Sequence, residues 1–169
     1  MRLLLLLDAP HLFVAPLSGC GLKPVYDGGR SGVAAQRLAG VEVAAIPGKG
    51  GWLVRNALTE RLDATASGAP QYRLTVTLND RIEGMGVRSN DTVTRERRTL
   101  RARFQLRDIG ATADSVPLLD ETAGADVGLD VTSSEYATIA AEDTALERLA
   151  GIIADRIITR VAVGATRPQ

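Results

Sequence analysis

Apolar and polar residues alternate with a period of two through the middle of this 169-residue chain. In the first such segment, one side is apolar: Tyr72, Leu74, Val76, Leu78 and Ile82. The other side is polar: Arg73, Thr75, Thr77, Asn79 and Arg81. Side chains of a β-strand point to opposite faces in turn, so this alternation predicts a strand with one buried face.

The same period predicts two further strands, at about Thr92–Asp108 and at about Leu118–Val131. In the first of these, the apolar side is Leu100, Ala102, Phe104 and Leu106. Strands with one apolar and one polar face are typical of an antiparallel sheet that is covered on one side only. We therefore expect an apolar layer of other elements to pack against one face of this sheet.

The segments before and after these strands have the residue spacing of amphipathic helices, and these helices would form that layer. A short strand is predicted at Val41–Ile46, a break at Pro47–Gly51, and a helix from Trp52 to about Thr65, with Trp52 in the core. A longer helix is predicted from Ser134 to Val163, and Thr132–Glu135 resembles the capping box that starts helices.

The predicted fold class is α+β. The order β-α-β-β-β-α gives a two-layer sandwich, with a mostly antiparallel four-stranded sheet and two helices on one face. The length suits one domain, which we place at residues 41–163, followed by a loose tail at 164–169.

The N-terminus has the pattern of an export signal. Arg2 precedes an apolar run that starts with five leucines at Leu3–Leu7, and small residues end it. The segment Leu17-Ser18-Gly19-Cys20 resembles the lipobox of bacterial lipoproteins, in which the signal is cut before the cysteine and that cysteine is acylated. We expect a signal peptide at 1–19, lipidation at Cys20 and a flexible tether at 20–40.

The expected cleavage limits the chemistry of the mature protein. It removes His11, the only histidine, and Cys20 is the only cysteine. Serine–histidine and cysteine–histidine catalysis and histidine-ligated metals are then excluded. We therefore expect no enzymatic activity, no cofactor and no metal site. We also expect no nucleic-acid binding, because the net charge is zero and nucleic-acid-binding domains are typically basic.

The balanced charge hides a strong asymmetry along the chain. Eight arginines lie between residues 81 and 107, whereas residues 108–147 hold ten acidic residues and no basic one. Arginine suits phosphate because its planar fork can donate two hydrogen bonds to one group. The arginine-rich strand face could bind a phosphorylated ligand or an anionic lipid headgroup. It could also be the ordinary solvated side of a sheet.

Three segments resemble the LPS-assembly lipoprotein family (LptE), in particular its alphaproteobacterial members. They are the opening Cys20-Gly21-Leu22-Lys23-Pro24-Val25-Tyr26, the helix motif Val54-Arg55-Asn56-Ala57-Leu58, and the alanine-rich stretch Tyr136–Ala145. The resemblance implies a non-enzymatic lipoprotein on the periplasmic side of the outer membrane. Such proteins plug and help assemble a large β-barrel translocon (LptD) and take part in lipopolysaccharide insertion. Gly21 after the cysteine fits outer-membrane sorting.

Under this resemblance, the arginines divide into two expected groups. Those near the end of the central hairpin would bind lipopolysaccharide phosphates: Arg88, Arg95, Arg97 and Arg98. Those along the strands would contact the barrel wall: Arg73, Arg81, Arg101, Arg103 and Arg107. The alternative function is a periplasmic lipoprotein auxiliary to a lipid or solute transporter, which would favour an apolar groove between helices and sheet.

Overall fold

The computed structural model describes residues 35, 38–63, 68–85, 94–112 and 114–164. Its elements are β1 (Val41–Val43), α1 (Gly48–Asp63), β2 (Tyr72–Gly84), β3 (Arg95–Asp108), β4 (Leu119–Asp130) and α2 (Glu135–Gly164). The signal peptide, Leu17, Ser18, Gly19, Cys20, Arg88 and most of the proposed tether lie outside the described residues. Gly164, placed in the tail by the sequence, ends α2 instead.

The four strands form one sheet in chain order, β1-β2-β3-β4. β1 runs parallel to β2, and the other two pairs are antiparallel. This confirms the predicted α+β class and the mostly antiparallel sheet. Parallel strands need a crossover connection, and α1 provides it between β1 and β2.

Both helices cover the same face of the sheet and run side by side. Lys49 pairs with Asp143 at 2.6 Å near one end of α1, and Arg61 pairs with Asp155 at 2.6 Å near the other. Both contacts link residues 94 positions apart, so the two helices are parallel. The core between the layers consists of fully buried side chains that include Leu58, Leu74, Leu100, Phe104, Leu149 and Ile153.

Helix α1 begins earlier than the glycine-rich sequence predicts. Gly48 has a φ of 80° and opens the helix, so the expected break at Pro47–Gly51 is wrong beyond Pro47. The glycines are needed for close packing: a Cβ at Gly51 would lie 2.5 Å from the carbonyl oxygen of Ile46. The segment that reads as a helix breaker is therefore the packed first turn of α1.

Two further predictions about the helices are corrected. Trp52 is 62% exposed, because the buried stripe of α1 is Gly51, Val54, Leu58 and Leu62 and residue 52 falls beside it. At the start of α2, the backbone N–H of Ala137 donates to Ser134 Oγ at 3.4 Å. Ser134 is thus the N-cap, rather than Thr132 of the predicted capping box.

Candidate functional site

The face of the sheet that the helices leave open carries most of the central arginines. We call it the outer face; it consists of the odd-numbered residues of β2 and β3 and the even-numbered residues of β4. Seven arginines lie on it: Arg73, Arg81, Arg95, Arg97, Arg101, Arg103 and Arg107. The predicted clustering of these arginines on one face is therefore present in the structure.

Acidic residues of β4 pair with arginines of the neighbouring β3. Arg95 lies 3.2 Å from Asp130, Arg97 lies 3.8 Å from Asp126, and Arg103 lies 2.7 Å from Asp120. The register places Asp130 opposite Arg95, and it places Asp126 and Asp120 diagonally to Arg97 and Arg103, which explains the charge asymmetry of the sequence. The basic segment and the acidic segment are adjacent strands whose charges pair across the ladder.

The tightest of these pairs is Arg103 with Asp120. Arg103 donates from Nε at 3.0 Å and from Nη2 at 2.7 Å, and Gln105 donates to the same carboxylate at 2.8 Å. The hydrogen bonds from Arg103 and then Gln105 lower the pKa of Asp120 to about 2. Asp120 is thus ionised at physiological pH, and Arg103 is held in place by the two hydrogen bonds that it donates to this carboxylate.

Other outer-face arginines also have partners. On the β1 side, Arg73 donates to Glu42 at 2.6 Å. Arg81 lies 3.6 Å from Glu83 on its own strand. Arg107 donates to the carbonyl oxygen of Ser115.

Arg101 is different. It makes no ion pair and no hydrogen bond with any residue that the structure describes. Arg101 lies opposite Asn79 on β2 and opposite Gly124 on β4, and the diagonally placed Asp126 of β4 pairs with Arg97 instead. A free guanidinium therefore lies at the middle of the outer face.

The surroundings of Arg101 form a shallow depression of about 510 Å³ with both polar and apolar lining residues. We call it the Arg101 depression; its polar and small lining residues include Thr77, Asn79, Thr99, Thr122, Gly124 and Asp126, whose carboxylate pairs with Arg97. A Cβ at Gly124 would lie 3.4 Å from Cγ of Arg101, so the glycine leaves the arginine stem its room. A second depression of about 460 Å³ adjoins it, lined by Asn79, Arg81, Glu83, Thr99 and Arg101. The guanidinium and the hydroxyl groups can together donate several hydrogen bonds to one anion.

Arg98 does not belong to this face. Its even number places it on the helix-covered side with Leu100, where it is only 9% exposed. It donates to the Asp80 carboxylate at 2.9 and 2.6 Å and to the carbonyl oxygen of Glu142 on α2 at 2.7 Å. The hydrogen bond to Asp80 raises the pKa of Arg98 above its ordinary value. Arg98 ties the sheet to α2 and faces away from Arg95 and Arg97.

The family of the chain follows from a comparison with family models. The model described as "LptE: Lipopolysaccharide-assembly" matches residues 38–161, which is most of the chain. This chain belongs to the LptE family. The resemblance to this family is thereby confirmed. The matched range contains the helix motif and the alanine-rich stretch and corresponds to the folded α+β domain, whereas the segment Cys20–Tyr26 lies before it.

Solved structures show the same fold in other proteins. A candidate lipoprotein from Caulobacter crescentus CB15 is 26% identical to this LptE-family chain, with a TM-score of 0.65, and the match covers 83% of this chain and 100% of that one. A minor lipoprotein from Acinetobacter baumannii, 15% identical, has a TM-score of 0.59 over 77% of this chain and 98% of its own. The rare lipoprotein B of Shewanella oneidensis, 14% identical, has a TM-score of 0.55 over 73% of this chain and 93% of its own. The last two comparisons bear on the fold alone.

No curated protein matches the LptE-family chain. Within the described residues, neither helix is both long and apolar enough to cross a membrane.

Proposed function

We propose that this protein is a lipoprotein, anchored through Cys20 to the periplasmic side of the outer membrane, that works with an LptD-type β-barrel to insert lipopolysaccharide into the outer leaflet. Membership of the lipopolysaccharide-assembly family supports a role in lipopolysaccharide assembly. The polar outer face supports the proposed association with a barrel, because the interiors of large outer-membrane barrels are polar. In this proposal the protein binds and positions molecules and catalyses no reaction.

The observation that carries the ligand part of the proposal is the unpaired Arg101 in its depression. A lipid A phosphate seated there would accept two hydrogen bonds from the guanidinium, and threonine hydroxyls could donate to its remaining oxygens. Because Arg101 has no carboxylate to release first, it can meet the anion without breaking a protein contact.

Arg95 and Arg97 would extend the site toward the hairpin end. Their ion pairs are longer than that of Arg103, and their side chains are about half exposed or more. Exposed pairs of this kind contribute about 0–1 kcal/mol, so a phosphate could replace the aspartate at low cost. The arginines would then compete with the divalent cations that bridge lipid A phosphates.

The remaining outer-face arginines have carboxylate or carbonyl partners and are better suited to line the interface with the barrel. These are Arg73, Arg81, Arg103 and Arg107. Compared with the division expected from sequence, Arg101 moves from the barrel group to the ligand group. Arg98 leaves the ligand group because its donors are engaged between the sheet and α2. Arg88 lies outside the described residues and keeps its expected role as a hypothesis.

Replacing Arg101 with alanine is expected to weaken binding of purified lipopolysaccharide about tenfold, the loss typical of one charge-assisted contact. The circular dichroism spectrum should not change, because Arg101 supports no other described residue. The measurement is a titration of the full-length chain in detergent with labelled lipopolysaccharide.

The matched control is Arg55→Ala, which removes an exposed arginine of α1 that also lacks an ion pair with any described residue. It should leave the affinity unchanged. A second control uses dephosphorylated lipopolysaccharide, which should bind the parent chain and the Arg101 variant equally. Equal affinity of the two proteins for the phosphorylated form would contradict the assignment of Arg101.

A further inference from the structure

β4 is one of the two edge strands of the sheet, and its backbone groups have a definite orientation. The N–H of Val131 donates to the carbonyl oxygen of Thr94, and the β3–β4 register continues regularly from that pair. In an antiparallel ladder, alternate residues exchange hydrogen bonds with the partner strand. The odd-numbered residues of β4 therefore bond to β3. The even-numbered residues point their N–H and C=O groups toward the open edge.

Only one half of this edge is covered by the described chain. Arg156 of α2 donates to the carbonyl oxygen of Gly124, and Arg160 pairs with Glu121 at 2.6 Å. Both contacts lie on the half of β4 that begins at Leu119. In the other half, no described residue outside β4 bonds to the edge-facing backbone groups of Asp126, Gly128 and Asp130.

An apolar groove lies beside this uncovered half. It has a volume of about 360 Å³ and runs between the end of β4 and the first half of α2; its lining includes Val127, Leu129, Ala140, Ala141, Thr144 and Arg148. The helix positions 136, 140, 144 and 148 recur every four residues and so form one stripe. Tyr136, at the end of that stripe, is 88% exposed. We call this groove, with Tyr136, the edge groove.

We propose that the Asp126–Asp130 half of β4, together with the edge groove, is a docking site for an extended segment of a partner protein, which would add a fifth strand to the sheet. Recognition by strand addition combines main-chain hydrogen bonds with pockets for alternate side chains. Here the edge supplies the hydrogen bonds and the groove receives the inward-facing side chains. Tyr136 would serve as an aromatic anchor at one end of the groove.

The charges beside the edge define the partner further. Asp126 and Asp130 lie on the outer face of the edge, with loose pairs to Arg97 and Arg95. An added strand would place its outward side chains next to these carboxylates. The fitting segment therefore alternates apolar residues, which enter the groove, with lysine, arginine or threonine, which lie on the outer face.

The same carboxylates disfavour a second copy of this chain as the occupant. An antiparallel pairing of two β4 strands centred on Gly128 would place Asp126 of each copy opposite Asp130 of the other. Like charges directly opposite each other destabilise a strand pair. The occupant is thus a different sequence of basic amphipathic character. The site lies on the edge of the sheet and does not depend on anion binding at Arg101.

The test is a fluorescence anisotropy titration of the full-length chain in detergent with a labelled peptide of about eight residues, in which valine and leucine alternate with lysine and threonine. Binding should weaken about tenfold for the same peptide with N-methyl groups on the edge-facing nitrogens, since each lost hydrogen bond in this setting costs up to that factor. The variant Gly128→Pro should weaken binding of the unmodified peptide similarly, because proline removes the N–H that points to the edge.

The matched control is Thr122→Pro, which removes an equivalent N–H from the covered half of β4 and should leave peptide binding unchanged. If Gly128→Pro fails to fold, the N-methylated peptide still decides the question with the parent chain. Equal binding of both peptides, no binding, or equal effects of the two proline variants would overturn the proposal. Self-association of the chain that Gly128→Pro abolishes would also overturn it, in favour of a second copy at the edge.

Discussion

Replacing Arg98 with alanine is expected to lower the free energy of unfolding by about 2–3 kcal/mol, the range for removing one partner of a substantially buried charge pair. The side chain is 11% exposed, and its partner Asp80 is 32% exposed. The substitution removes the two hydrogen bonds that Arg98 donates to the Asp80 carboxylate. It also removes the one that Arg98 donates to the carbonyl oxygen of Glu142. Urea denaturation followed by circular dichroism measures the change.

A double variant separates the stability contributed by the charges of the pair from the stability contributed by the packing of the two side chains. Arg98→Met combined with Asp80→Leu replaces the pair by apolar side chains of comparable length and should recover most of the lost stability. A loss below about 0.5 kcal/mol for Arg98→Ala, within the range of ordinary surface substitutions, would show that the arginine does not hold the sheet to α2. It would also reopen Arg98 as a ligand residue.

This prediction affects any test of lipopolysaccharide binding. A combined alanine replacement of Arg95, Arg97 and Arg98 would mix a stability effect from Arg98 with a surface effect from the other two. Replacing Arg95 and Arg97 alone keeps the contact between Arg98 and Asp80 and tests the outer face without disturbing the core.

Replacing Gly51 with alanine is expected to cost about 2–3 kcal/mol, because it overpacks the junction between β1 and α1. The new methyl group would lie 2.5 Å from the carbonyl oxygen of Ile46 and 2.7 Å from its carbonyl carbon. These are backbone atoms, so the contact can be relieved only by moving α1 away from the segment before it. Urea denaturation of the variant measures the loss.

Gly50→Ala is the matched control for Gly51→Ala. A Cβ at Gly50 would meet the Cδ1 atom of Leu146 at 3.5 Å, an ordinary van der Waals distance. Alanine is a better helix former than glycine by about 1 kcal/mol, so this variant should be neutral or slightly stabilising. Similar stabilities of the two variants would contradict the close packing of the first turn of α1.

The alternation of residues predicts much of this fold because one side of each long strand is mainly apolar, interrupted by polar residues such as Asp80, Arg98 and Glu121. Leu100, Ala102, Phe104 and Leu106 are buried as their spacing indicates. Trp52 shows the limit of the same reasoning, because aromatic character does not decide which side of a helix a residue occupies. The glycines before it read as a turn, and only the distance to Ile46 shows that they allow a helix to pack closely.

The candidate site is less predictable from sequence than the fold. Arg98 is two residues from Leu100 on the same strand, so the alternation already predicts that its side chain points inward. That signal is lost when the arginines are counted as one cluster. The free state of Arg101 has no local signal at all. It depends on the register, which places Gly124 opposite Arg101, and on the diagonal pairing of Asp126 with Arg97 and of Asp120 with Arg103. Strand register is set by tertiary packing and the turns.

The most direct test of the proposed role is to purify the tagged chain from detergent-solubilised outer membrane and to identify what comes with it by mass spectrometry. The proposal predicts a large β-barrel protein in stoichiometric amount, together with lipopolysaccharide. An intact preparation that holds no barrel, or one that holds an inner-membrane transporter instead, would contradict it and favour the role of a periplasmic lipoprotein auxiliary to a transporter.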